Sequence, residues 1–165
     1  MPAGVSAYTA LANVTLGSSA ASVTFSSISQ AYKDLVLVVT PSASSKVANV
    51  NFRFNSDTGS NYSFVYMKGN GTTAGSGASS STEGFLDFSD GLPADFGNNF
   101  VVNLFDYSAT DRHKNFLARW NMASDSTGAV ANRWASTSAV NSINVFISGT
   151  TFAAGSTFAL YGVSS

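Results

Sequence analysis

Cysteine is absent from this 165-residue chain, and charge is scarce: Asp, Glu, Lys and Arg make up 10% of it. Without cysteine there is no disulfide framework, no thiolate metal site and no cysteine nucleophile. The fold is therefore indifferent to redox compartment, which the absence does not identify. Eight basic residues, spread along the chain against nine acidic ones, are too few for a surface that tracks phosphates, so no nucleic-acid partner is expected. Long apolar runs are missing too. The strongest, residues 35–39 (LVLVV), falls far short of the ~20 residues of a membrane-spanning helix, so no membrane partner is expected. Residues 1–5 (MPAGV) lack the basic and apolar regions of a secretory signal, which points to synthesis in a cytoplasm.

Small polar residues fill the space that charge leaves. Ser (28), Thr (14), Asn (14) and Gly (14) account for 70 positions, beside 13 Phe, 6 Tyr and 2 Trp. That aromatic content supplies a core, and with a net charge of −1 it excludes intrinsic disorder. The length suits one domain. We divide it into an N-terminal arm, residues 1–6, and a single domain over residues 7–165.

Periodicity of two recurs along the chain. Tyr8, Ala10, Ala12, Val14 and Leu16 alternate with Thr9, Asn13 and Thr15, and Ala21, Val23 and Phe25 with Ser22, Thr24 and Ser26, with a Gly-Ser-Ser turn between. Residues 33–40 read as a strand buried on both faces. Residues 47–55 place Val50, Phe52 and Phe54 on one face and Asn49, Asn51 and Arg53 on the other. Further strands are expected over 62–67, 100–107 (bulky on both faces), 116–122, 140–147 and 157–163, and a weaker one over 130–135. Residues 29–34 and 93–96 each suit one helical turn. Residues 69–83 (GNGTTAGSGASSSTE) and 89–99 read as loops. Nine or ten short strands without βαβ alternation predict an all-β, antiparallel β-sandwich, with a jelly roll favoured.

Signals for chemistry are weak. His113 sits among charged neighbours and reads as a solvated loop residue. Glu83, Asp87, Asp90 and Asp95 lie within 13 positions and would suit glycoside hydrolysis, but they read better as ordinary loop charges. The Asp57 turn, NSDTGSN over residues 55–61, lacks the acidic density of a calcium loop and suits Asx turns. No catalytic, cofactor or metal residue is assigned. Trp120 reads as core. Trp134, Tyr62 and Tyr66 are the candidates for a sugar-stacking platform. Low charge with no catalytic motif points to an assembly part, whose small side chains lose little entropy on close packing.

Three stretches carry a resemblance: residues 25–38 (FSSISQAYKDLVLV), residues 55–63 (NSDTGSNYS) and residues 152–163 (FAAGSTFALYGV). Together the chain resembles small virion structural proteins of tailed bacteriophages, many from cyanobacterial and other aquatic hosts. The resemblance implies a non-enzymatic capsid decoration, or cement, protein. It would sit as a homotrimer on the outer surface of the capsid against the major capsid protein, after synthesis in the host cytoplasm. It carries no catalytic residues and no cofactor. The arm Met1, Pro2, Ala3, Gly4, Val5 and Ser6, small and uncharged, suits threading along a neighbour and is the candidate assembly interface. The alternative is a tail-fibre or appendage knob that binds a host-surface receptor or glycan through Trp134, Tyr62 and Tyr66.

Overall fold

Alternation of apolar and small polar residues produces strands throughout. The computed structural model describes residues 7–43, 49–89, 91–94, 97–122 and 126–164. Twelve strands are present among them: β1 (Tyr8–Thr15), β2 (Ser22–Phe25), β3 (Asp34–Thr40), β4 (Val50–Phe54), β5 (Tyr62–Gly69), β6 (Ala74–Ser81), β7 (Gly84–Phe85), β8 (Asn99–Phe105), β9 (Lys114–Asn121), β10 (Thr127–Trp134), β11 (Ile143–Ile147) and β12 (Thr157–Val163). No helix occurs among the described residues, and the expected helical turn over 29–34 is an irregular link that enters β3 at Asp34. The arm at residues 1–6 and part of the 93–96 segment lie outside the described residues.

The strands form an antiparallel β-sandwich. An eight-stranded sheet runs β1-β12-β3-β8-β9-β10-β5-β6, and a four-stranded sheet runs β2-β11-β4-β7. Val50, Phe52 and Phe54 face inward as the pattern predicts, at 0%, 2% and 2% exposure. β1 departs from its pattern. A bulge between Ala10 and Ala12 shifts the register, so Tyr8 points away from the core while Val14 packs toward it.

The two hairpins β5–β6 and β9–β10 extend the large sheet, and aromatic contacts hold this extension onto the small sheet. Phe116 of β9 meets Phe52 and Phe54 of β4 edge-on at 4.5 and 5.3 Å. Trp134 of β10 meets Phe54 at 5.5 Å and stacks with Tyr62 of β5. Phe64, Phe85 and Phe88 cluster at 4.6–4.8 Å. At this side β7 is the edge of the small sheet, and an edge needs partners for its backbone. Asn132 of β10 supplies them. Its carbonyl oxygen accepts from Phe85 N–H (3.1 Å) and its amide donates to Phe85 C=O (3.0 Å). One buried side chain thus does the work of a neighbouring strand.

The low-complexity segment expected to be a loop is mostly strand. Ala74–Ser81 pairs residue for residue with Tyr62–Gly69. Poor β formers such as Gly and Ser are carried here by the partner strand and by the turn between. In that turn Asn70 Oδ1 accepts from Thr72 N–H (3.0 Å) and Thr73 N–H (2.8 Å).

Glycines sit under aromatic rings at three cross-strand pairs: Phe52 with Gly84, Trp120 with Gly128 and Tyr66 with Gly77. A Cβ at Gly84 or Gly128 would run into the ring of Phe52 or Trp120.

Replacing Asn132 with Leu should destabilise the protein by about 2–4 kcal/mol, because it strands two backbone groups at the β7 edge. Phe54→Ala should cost about 3–5 kcal/mol. Urea unfolding checks both; a near-neutral result for Asn132→Leu would remove the edge-capping role.

Candidate interaction surface

Alternation along a strand assigns every second residue to the outer face of its sheet. Cross-strand register then aligns these residues into rows. One row on the eight-stranded sheet reads Tyr161, Val36, Asn103, Leu117, Ala131, Val65 and Ala78. The next reads Ala159, Val38, Val101, Arg119, Ala129, Met67 and Ser76. At one end of the sheet Tyr8 pairs with Val163, and Phe105, Asn115, Arg133, Ser63 and Ser80 complete a third row.

An antiparallel sheet with one solvated face normally shows polar residues there. This one does not. The four exposed large hydrophobic residues among the described residues are Tyr8 (56%), Val65 (58%), Met67 (66%) and Phe105 (44%). All four lie on this outer face. Over β8, β9, β10, β5 and β6 the face dips into a shallow trough of about 920 Å³, whose lining includes Met67, Val101, Arg119 and Ala129. A second depression of about 650 Å³ adjoins along the same strands, lined among others by Val65, Ala131, Arg133 and His113.

Its electrostatics are one-sided. Among the described residues, no acidic one lines either depression. Arg119 and Arg133 are exposed, and among the described residues no carboxylate pairs with them. His113 is exposed at the rim, in line with its reading as a solvated loop residue.

The expected sugar platform is not at the surface. Trp134 and Tyr62 are each 2% exposed, and Tyr66 is half-buried and stacked on Phe88 at 4.3 Å. This corrects their assignment as glycan contacts: the rings are spent on the core. Tyr62 Oη accepts from Phe54 N–H at 3.0 Å, and burial pushes its phenol up to about 12. Trp120 is core as expected, at 2% exposure. The arm Met1–Ser6 falls outside the described residues.

Asp87 and Glu83, two of the four carboxylates weighed for glycoside hydrolysis, have structural partners. Asp87 is fully buried and accepts from Val50 N–H (2.6 Å) and from the backbone and hydroxyl of Ser89. Glu83 pairs with Arg53 at 2.7 Å and with the Asn51 amide. Asp90 and Asp95 lie outside the described residues. Lys114, with no exposed surface, donates to the carbonyls of Ala109 (2.7 Å), Arg112 (2.9 Å) and Thr137 (3.4 Å). Burial lowers its pKa, and the three carbonyls make it a clamp for the loop before β9.

The Asp57 turn is organised by hydrogen bonds. Asn55 and Ser56 both adopt positive φ, 51° and 59°, and Asp57 N–H donates to Phe54 C=O at 2.9 Å, the geometry of a tight hairpin turn. Asp57 then accepts from Gly59 N–H (2.8 Å), the Asn61 amide (2.9 Å) and Trp134 Nε1 (2.6 Å). Partial burial pushes its carboxyl up, but the bonds from Trp134, Asn61 and Gly59 outweigh this and hold it below the usual range. The Asx-turn reading fits this geometry.

Sequence reasoning missed Val65, Met67, Arg119 and Arg133 as a group. The signal was present in strands such as 33–40 and 100–107, apolar on both faces, because a two-sided apolar strand needs cover on both sides. No family model matches this chain, and neither a curated protein nor a solved structure does.

Trp134→Phe should remove the indole donor and raise the Asp57 pKa. Because the folded Asp57 pKa is depressed, its contribution is present above the unfolded value of about 3.9 and is lost as pH falls through the folded value. The variant should therefore be less stable than the parent at pH 7, and the gap should narrow near pH 2. Urea unfolding at the two pH values checks this; an equal gap at both would sever Trp134 from the Asp57 charge.

Proposed function

We propose that this chain is a non-enzymatic structural protein of a bacteriophage virion, a capsid decoration module that works as a homotrimer on the outer shell against the major capsid protein. One observation carries the reading: the outer face of the eight-stranded sheet holds the four exposed large hydrophobic residues among the described residues, with Val65 and Met67 more than half exposed, which is the character of a surface meant to be covered. The resemblance of residues 25–38, 55–63 and 152–163 to phage virion proteins points the same way. So does the engagement of Asp87 and Glu83 in backbone and ion-pair contacts, which leaves them no part in acid–base work.

Strand order supports a jelly roll within this reading. The segments β1-β12-β3-β8 and β2-β11-β4-β7 are the two four-stranded halves of an eight-stranded roll. The hairpins β5–β6 and β9–β10 are then insertions that widen one half. The receptor-knob alternative loses its proposed contacts, since Trp134 and Tyr62 lie in the core.

The mechanism is mechanical. A covered face adds contact area between capsomers, and a trimer attaches at several points, so each further contact forms at high effective concentration. Quantitative mass spectrometry of purified virions should find this chain at a simple fraction of the major capsid protein copy number. Particles stripped of it should lose infectivity at lower temperature than intact ones. A handful of copies per particle, or no loss of heat tolerance, would overturn the decoration role.

A further inference from the structure

We infer that the crevice between the first edge strands of the two sheets is a binding site for a small uncharged amphiphile, a medium-length aliphatic chain with a hydroxyl head. The site lies apart from the outer face that the decoration role uses, and neither depends on the other.

Topology creates the crevice. β1 ends the large sheet beside β12, and β2 ends the small sheet beside β11. Among the described residues no ladder joins these two edges, so the sandwich is open on that side. A crevice of about 320 Å³ lies there, lined by Leu11, Ala12 and Val14 of β1, by Phe25 and Ile28 opposite them, and by Leu160 of β12. That volume falls within the range of small-molecule sites. It holds roughly ten non-hydrogen atoms at about 30 Å³ each. Leu11 to Val14 covers about 10 Å of strand at about 3.3 Å per residue, an elongated wall that suits an extended chain better than a compact ring.

Two local departures from regular structure serve this crevice. In a regular pleat adjacent side chains take opposite faces. The bulge between Ala10 and Ala12 turns Leu11 and Ala12 inward together, and both line the crevice. Bulges on edge strands commonly re-aim side chains in this way next to sites. Opposite β1, Ser27 is held at φ 53°. Glycine adopts that conformation freely, while a residue with a side chain is strained by it. A serine kept there points to a use for its hydroxyl.

The rim chooses the head group. None of the described residues lining the crevice is charged, so a carboxylate or ammonium would enter without a counter-charge. Four exposed hydroxyl residues stand at the mouth: Thr24, Ser26, Ser27 and Ser29. Thr24 accepts from the Asn144 amide (2.8 Å) and Ser29 from Ala31 N–H (3.4 Å). The hydroxyls of Ser26 and Ser27 have no partner among the described residues, which leaves them to exchange hydrogen bonds with an alcohol. Buried aliphatic walls below and free hydroxyls above match a chain that is apolar along its length and polar at one end.

The probe is 1-octanol, titrated into the full ¹⁵N-labelled chain and followed by amide chemical shifts. Saturable shifts should centre on residues 11–14 and 24–29, with half-saturation at about 1 mM or below. Octanoate and octylammonium should bind at least about threefold more weakly. Ala12→Phe, which fills the crevice from its wall, should abolish the shifts. Ser27→Gly should bind octanol about threefold to tenfold more weakly while melting no lower than the parent, because it relieves the strained φ. No saturation up to the solubility limit, or shifts centred on Val65 and Met67 instead, would overturn the site. So would undiminished binding by a folded Ala12→Phe variant. A Ser27→Gly variant with parental affinity, or charged heads bound as tightly as the alcohol, would overturn the hydroxyl recognition. Binding that appears only once residues 1–6 are deleted would give the crevice to the chain's own arm and overturn the ligand.

Discussion

The fold depends on how the edge of the small sheet is finished. β7 contributes two residues, yet the widened sheet folds against it. Asn132 makes this possible by giving Phe85 one donor and one acceptor. An apolar residue there would leave both backbone groups dry and unpaired, a large cost in a buried seam. Once Asn132 is in place, β10 is fixed against β7. Trp134 and Val130 then face inward on either side of it, and β9 and β5 follow by register. The outer surfaces of these same strands are the apolar face, so the interior amide also positions the exterior Val65 and Met67.

Much of this was legible in the sequence. Alternation alone puts Phe52 and Phe54 on one face and reads Trp120 as core, because period two leaves no freedom once one residue is placed. The weak strand signal over 130–135 belongs to a central strand, since Gly128 and the alanines there lower local propensity while both neighbours supply pairing. β6 was opaque for the same reason carried further: Ala, Gly and Ser show no alternation of polarity, and only the long-range partner β5 defines them. The bulge in β1 left one local mark, Leu11, an apolar residue where the alternation calls for a polar one.

The site was less legible than the fold. Aromatic residues drew attention as surface candidates, but a chain with this little charge uses its large rings to fill space and sets glycines beneath them. Trp134 illustrates the point: its ring is buried and its single polar atom reaches Asp57. What marks the surface is instead ordinary aliphatic residues in the wrong parity, and parity acquires meaning only when the rows of several strands are aligned.

The strand order also governs when the molecule can form. β12 lies between β1 and β3, and β11 lies between β2 and β4. The first two strands therefore have no partner until residues 143–163 have left the ribosome. A nascent chain holds β1 and β2 unpaired until then, and these pairings are among the longest in sequence that a domain of this size can make. Such topology favours slow, late-closing folding, in which the N-terminal strands wait as exposed edges while the central hairpins β5–β6 and β9–β10, local in sequence, assemble first.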